Sequence, residues 1–353
     1  MEKFLRDYLQ CRRQRVVLGS GMSNEVDVVS GVPQGSILGP LLFVLFINDL
    51  HDVVSSGTDI ALYADDTKIW RKIMCEADCV TLNNDIQAMV QWASQNLMKF
   101  HPMKCKIVSI AVKIFLESLP FQRTFPYSMN DILLDQELSE TDLGLLVCKN
   151  LSWTKHQTVI LSKALSQFNL LRRTCHFVKN PSKKRTLYLT IVRSLFEHCA
   201  SIWAPSQEAI ANKFEPFQKR CIKWILNEQF LSYSESQYYK KLLELKIMPL
   251  SFKFIYSDLV LFYKVTNNLV PISLPEYVII RHNTRYSSDG STVYGLNLDT
   301  VSAHKYVFTH SFFPRCISNW NSLPSDTRSA SNLNNFCSKL SAWIWNSVAS
   351  RAV

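Results

Sequence analysis

From residue 156 to about 230 apolar side chains return every three or four positions, as in Ile160, Ala164, Leu165, Phe168 and Leu171 and again in Leu187, Ile191, Leu195 and Cys199. That is the period of one helical face. The run KNPSKK separates two such helices, with Pro181-Ser182 as the start of the second. Residues 236–268 continue the same pattern, whereas 281–300 are polar and irregular and read as a loop of about twenty residues. The front of the chain mixes periods. VVLGSGMSNEVDVVSGVP (16–33) alternates between glycine and serine breaks and predicts a β-hairpin, and 36–50 predict a helix. Residues 60–71 predict two short strands about a tight turn at Ala64-Asp65-Asp66. An amphipathic helix follows over 75–100, then a strand-like CKIVSIAV over 105–112. The expectation is an α+β unit over 1–155, a helical region over 156–230 and a mostly helical region over 231–353.

The glycines support this division: six of nine lie between Gly19 and Gly57, and none lies from 145 to 289, so tight turns belong to the front. With 353 residues, 47% hydrophobic, the chain can bury a sizeable core, which excludes a disordered tail. Lysine and arginine outnumber aspartate and glutamate by 39 to 29, a formal charge of +10 that favours polyanionic partners, nucleic acid first and an anionic membrane surface second. The apolar run ILGPLLFVLFI (37–47) falls short of the ~18 residues of a spanning helix, and the first fifteen residues lack a signal-peptide apolar core. The chain is therefore expected to be intracellular, nuclear or cytoplasmic, with no membrane partner. Ten scattered cysteines read as free thiols. Cys75/Cys79, Cys175-His176 and His198-Cys199 make no paired zinc set.

Two adjacent aspartates interrupt the β-prone run IALYADDTKIW (60–70). Taken alone, ADDT fits a solvated hairpin turn as well as a metal site. About thirty residues upstream, SGVPQGSILGP (30–40) places three glycines and two prolines at a helix entrance, where bare N–H groups can face an anion. The basic runs CRRQR, LRRTC, KNPSKKR and QKRCIKW read either as solvated helix faces or as sequence-independent contacts to a nucleic-acid backbone. Trp70 and Trp92 read as core or rim residues rather than base-stacking platforms.

These stretches resemble reverse transcriptases, and among them those of non-LTR (LINE-like) retrotransposons. SGVPQGSILGPLLFVLFINDL is similar to their template- and primer-positioning motif and ALYADDTKIW to their catalytic hairpin. WASQNLMKFHPMKC is similar to the next motif, with Lys104 at the place of its lysine and His101 where asparagine is usual. LGLLVCKNLSWTKH is similar to the primer grip leading into the thumb, and LSKALSQFNLLRR, LYLTIVRSLFEHCASIWAP and SFFPRCISNWNSLP to downstream parts of such reading frames.

The resemblance implies a partial polymerase palm, α+β with a catalytic β-hairpin, followed by a thumb-like region at 156–230. Asp65 and Asp66 would be catalytic ligands of Mg²⁺ or Mn²⁺. Gly31, Pro33, Gln34, Gly35 and Lys104 would bind nucleotide or template, and Arg172, Arg173, Lys183, Lys184 and Arg185 the backbone of an RNA template, DNA primer or hybrid. The family's first catalytic aspartate lies in a strand well upstream of the glycine-rich loop, and Glu2, Asp7, Glu25 and Asp27 do not match it. The fingers also precede that loop in the family. The expectation is a fragment inactive alone, and the alternative is a non-catalytic nucleic-acid-binding or interaction protein derived from a retroelement. An edge left open along IALYA would favour aggregation.

Overall fold

The computed structural model describes residues 2–110, 125–228, 231–286, 292–298 and 306–353. The chain divides into two compact units, 1–138 and 139–353, and its class is α+β.

In the first unit, helix α1 (Glu2–Leu9) leads into nested two-residue ladders, Arg13-Gln14 against Val26-Asp27 and Val17-Leu18 against Gly21-Met22, which form the hairpin read from residues 16–33. Helix α2 (Leu38–Ile47) runs into a 3₁₀ turn over Asn48–Val53. Strands β1 (Thr58–Tyr63) and β2 (Asp66–Arg71) then pair antiparallel, with Ile60 opposite Ile69 and Tyr63 opposite Asp66. Because side chains alternate along a strand, Ile60, Leu62 and Ile69 share the inner face. They pack on a core of Ile47, Leu50, Met89, Trp92 and Ala93, the last three from helix α3 (Glu76–Gln95). A second cluster gathers Cys79 and Ile86 of the same helix with Tyr127, Met129 and Leu134.

The hairpin is also pinned by polar groups. Asp85 of α3, buried, accepts hydrogen bonds from the Ser55 N–H (2.9 Å), the Ser55 hydroxyl (2.9 Å) and the Thr58 hydroxyl (2.5 Å), where β1 begins. Arg71 at the end of β2 donates to the Ser56 carbonyl (2.9 Å) and the Thr58 hydroxyl (3.0 Å). Arg71 also pairs with Asp78 of α3 (3.5 Å), so the open end of the ribbon is fixed to the helix and its turn projects from a held base. The strand expected over 105–112 reduces to Lys106-Ile107, paired in parallel with Asp135-Gln136; residues 111 and 112 lie outside the described residues.

The second unit opens with a hairpin of β3 (Ser139–Asp142) and β4 (Leu145–Cys148). Its turn residues Leu143 and Gly144 both have positive φ, the backbone twist that two-residue hairpins require. Helices α4 (Thr154–Thr174), α5 (Pro181–Leu187), α6 (Glu215–Leu226), α7 (Glu235–Leu245), α8 (Leu250–Thr266), α9 (Phe312–Asn321) and α10 (Leu333–Ser350) enclose one core that extends from Leu145 to Ala352. Helix α5 starts at Pro181, as read from the sequence, and Asn180 caps it, accepting from the Ser182 N–H (2.9 Å) with Pro181 at the first helical position.

Two readings need correction. After α5 the buried stripe is Tyr188, Val192 and Phe196, one residue beyond the expected Leu187, Ile191 and Leu195. The spacing of four is kept and the larger tyrosine and phenylalanine side chains take the inner face, along a helix that includes a π-helical turn over Tyr188–Arg193. The loop expected over 281–300 is instead a pair of antiparallel strands, Ile280–Tyr286 and Thr292–Leu298, on either side of residues outside the description.

Candidate functional site

The register that pairs Tyr63 with Asp66 leaves Ala64 and Asp65 as the two turn residues, so Asp66 is the first residue of β2 rather than part of the turn. Ala64 takes φ +51°, a left-handed conformation that glycine or asparagine adopts at little cost and alanine at about 1–2 kcal/mol. The strain sits immediately before the two aspartates. Both carboxylates are exposed, and neither has a hydrogen bond or ion pair to any described residue. Two adjacent acids with no cation beside them do not stabilise the hairpin; they are free to take ligands.

Hard carboxylate oxygens suit Mg²⁺ or Mn²⁺. Asp65 and Asp66 therefore fit such an ion by donor chemistry, but among the described residues no group of three or more His, Cys, Asp or Glu side chains could hold a metal ion. The pair is a partial ligand set.

The glycine-rich loop is built for a different reason at each glycine. Gly31 and Gly35 adopt φ +77° and +79°, a region closed to most side chains, and a Cβ at either would meet open space. Gly39 lies at the start of α2, where a Cβ would come 2.9 Å from the Ser36 hydroxyl and 3.1 Å from the Pro33 carbonyl. Ser36 ties the loop together: its hydroxyl donates to the Pro33 carbonyl (2.7 Å) and accepts from the Gly39 N–H (3.0 Å) and from the Tyr8 hydroxyl (2.5 Å). Arg12 donates to the carbonyls of Gly31 (2.6 Å), Ser30 (3.3 Å) and Leu9 (2.8 Å). Tyr8, Arg12 and Ser36 thus position the loop, and sequence reasoning singled out none of them; Arg12 read only as part of a basic run. Pro33 is half-buried within the loop, while Gln34 is exposed. Lys104 closes a 3₁₀ turn over Pro102–Lys104 and is exposed.

The basic residues of the second unit separate into two kinds. Lys184 is buried, and its ammonium donates to the Trp224 carbonyl (2.9 Å) and to Asn227 Oδ1 (2.6 Å) while standing 4.8 Å from the Trp224 ring. It binds the C-terminal end of α6, where helix carbonyls lack partners. Burial, and then Lys179, lower its pKa from the ordinary lysine value. Arg185 is half-buried and donates to the carbonyls of Leu245 (2.5 Å) and Lys246 (3.1 Å) at the end of α7. Lys183, Arg172 and Arg173 are exposed. Arg172 and Arg173 line a cleft of about 750 Å³ together with His176, Lys179 and the Lys184–Trp224 pair.

The family described as "Reverse transcriptase (RNA-dependent DNA polymerase)" matches residues 2–189, more than half of the chain. The chain belongs to that family. It is 27% identical over 230 residues to "Probable RNA-directed DNA polymerase from transposon X-element" of Drosophila melanogaster, an alignment covering 63% of this chain and 24% of the relative. It is 25% identical over 236 residues to "Probable RNA-directed DNA polymerase from transposon BS" of the same species, covering 63% of this chain and 25% of the relative. With "RNA-directed DNA polymerase from mobile element jockey", also from Drosophila melanogaster, the identity is 28% over 163 residues, 44% of this chain and 17% of the relative. The resemblance to non-LTR, LINE-like reverse transcriptases is therefore borne out, and the chain spans about a quarter of the length of the X-element and BS relatives. No solved structure matches it significantly. No described helix is long and apolar enough to cross a membrane.

Proposed function

We propose that the first unit carries the metal-binding hairpin and substrate-positioning loop of an RNA-directed DNA polymerase of the non-LTR type. In this reading it forms part of a palm, and the helices from 156 to 230 serve as a thumb. The observation that supports it most is the Ala64-Asp65-Asp66 turn: a strained two-residue turn, anchored at its base by Asp85 and Arg71, that presents two uncommitted carboxylates. Asp65 and Asp66 would hold a Mg²⁺ or Mn²⁺ ion, whose chemistry there would be activation of the primer 3′-oxygen and charge neutralisation on the departing pyrophosphate. Gly31, Pro33, Gln34 and Gly35 lie against template or incoming nucleotide; the space around Gly35 leaves its backbone approachable. Lys104, exposed and on a short turn, is a charge partner for the triphosphate.

Two carboxylates do not hold two divalent ions a few ångströms apart, and the described residues add no third ligand. This favours a second reading, in which the chain by itself binds nucleic acid without catalysis. Primer extension separates the two. Given a primed RNA template, deoxynucleotides and Mg²⁺ or Mn²⁺, the chain alone is expected to extend nothing, and fusion behind the preceding polymerase segment of a relative is expected to restore extension that Asp65→Asn abolishes. Extension restored equally in Asp65→Asn would overturn the assignment of the hairpin.

A further inference from the structure

The cleft beside the end of α4 is enclosed from several elements. Ser166, Asn169, Arg172 and Arg173 recur at three and four residues and so share one face of the last turns of α4, which forms one wall. Lys179 from the connection after α4, Lys184 from α5 and Asn227 at the end of α6 close the other side. The cations therefore stand around a cavity of about 750 Å³, within the range of small-ligand sites, instead of following one edge. No acidic residue lines it among the described residues, and the side chains of Arg172, Arg173 and Lys179 have no hydrogen bond or ion pair to any of them. Arg172 is steadied by the Phe168 ring, 5.8 Å from its guanidinium.

Lys184 makes a site of this cavity. It is only 3% exposed, and its ammonium has three donors. Two go to the Trp224 carbonyl and Asn227 Oδ1, and no described residue accepts the third, although Lys184 lines the cleft. Lys179 adds to burial in lowering the Lys184 pKa, the effect of a positive field that nothing balances. An anion of several charges would supply both the acceptor and the balance. The lining also narrows its chemistry. Trp224 is the one Phe, Tyr or Trp there; it is almost fully buried and has the Lys184 ammonium 4.8 Å from its ring, so it offers no open face to a base. His176 has Nδ1 3.0 Å from the Arg173 carbonyl, to which it donates, which leaves Nε2 as a further donor when the ring is protonated.

We infer that this cleft binds a compact polyphosphate that carries no base, an inositol polyphosphate or a short inorganic polyphosphate, with Arg172, Arg173, Lys179 and Lys184 on its phosphates and Ser166 and Asn169 on its remaining oxygens. Bound there, the ligand bridges α4, the connection to α5 and the end of α6, so it acts as a structural ligand of the second unit and not as a substrate. The inference stands apart from the catalytic reading, since neither the aspartate hairpin nor the glycine-rich loop enters it.

The test is isothermal titration of the full chain at about 150 mM salt, where diffuse attraction is screened, with inositol hexakisphosphate, tripolyphosphate, dATP and a short single-stranded RNA. One inositol hexakisphosphate or tripolyphosphate is expected per chain, about tenfold or more tighter than dATP, and the ratio of the two affinities identifies the source. At about a hundredfold excess over its Kd the tighter ligand should raise the unfolding midpoint by about 5 °C. Arg172→Gln with Lys179→Gln, two exposed side chains whose loss spares the core, should weaken binding by about 30-fold or more and remove that rise. Lys213→Gln with Lys240→Gln, exposed lysines of the same unit outside the cleft, removes equal charge and should change the affinity by less than about twofold. Equal losses in the two double variants would reduce the binding to net charge and overturn the inference. So would dATP or RNA displacing inositol hexakisphosphate at equal concentration of phosphate groups, which would give the cleft to nucleotides or nucleic acid. Asp65→Asn should leave the titration unchanged, so the catalytic reading and this one fail separately.

Discussion

His156 shows how one side chain fixes an element and sets a pH limit. Its ring is buried at the start of α4, edge-on to Trp203 at 5.2 Å, and Nδ1 accepts a hydrogen bond from the Leu146 N–H (3.1 Å), which holds β4 to the helix. An accepting Nδ1 places the single proton of the neutral ring on Nε2. Burial first, then Lys163 and His198, push its pKa below the ordinary 6.5. The unfolded chain therefore binds the proton more readily, so the stability contributed by neutral His156 is complete above 6.5 and is lost as the pH falls from there through the folded value. His156→Gln keeps an acceptor for Leu146 but cannot titrate. Comparing the unfolding midpoints of the two proteins from about pH 7.5 to about 5.5 should show a steeper loss in the wild type. Parallel curves would mean that His156 takes up its proton alike in the folded and the unfolded chain.

At the scale of elements, the strain at Ala64 predicts a gain from glycine. Relief of the left-handed alanine is worth about 1–2 kcal/mol, offset by about 0.5–1 kcal/mol of extra backbone freedom lost on folding, so Ala64→Gly should stabilise the hairpin by several tenths of a kcal/mol or more. Slower amide hydrogen exchange in β1 and β2 is the expected result; faster exchange would show that the turn is held by contacts glycine cannot keep. The hairpin itself was legible because alternating residues declare a strand pair whatever surrounds them. So was the glycine loop, although the reason for Gly39, the approach of Ser36 and Pro33, needed coordinates. The clamp of Tyr8, Arg12 and Ser36 joins residues as far as 28 positions apart by hydrogen bonds that leave no period in the sequence. The buried stripe at Tyr188, Val192 and Phe196 has the same spacing as Leu187, Ile191 and Leu195, so periodicity alone does not choose between two adjacent apolar stripes. Lys184 and Arg185 read as members of a basic run, yet tertiary packing against the ends of α6 and α7 decides that their cations face protein carbonyls.

Across the whole molecule, the second unit buries its aromatic residues thoroughly, with Trp203, Trp320, Phe168, Phe196 and Phe336 almost fully enclosed, while the first leaves an apolar helix uncovered. Of the ten residues of α2 only Gly39 and Ile47 are buried; Leu41, Val44, Leu45 and Phe46 are 56, 53, 66 and 46% exposed. Leu41 and Leu45 are four residues apart and so form one ridge of the helix. Beside this, β1 and β2 form a sheet of two strands, with Tyr63 and Trp70 also exposed. Contiguous apolar surface of this kind drives association, and the net charge of +10 opposes it only at low salt, where repulsion is unscreened. The chain is therefore expected to self-associate as salt rises, at concentrations of about 10–100 μM. Leu41→Lys with Leu45→Lys should suppress this, because lysine has nearly the helix propensity of leucine and no buried contact is lost. Sedimentation velocity at about 50 and 200 mM salt measures the effect, with the unfolding midpoint of the variant expected within about 0.5 kcal/mol of the wild type. A wild-type chain that stays monomeric throughout would mean that the exposed ridge is too small to pair. A variant that associates as strongly would move the sticky surface from α2 to the open edges of β1 and β2, where a charged residue in place of Tyr63 should then disperse it.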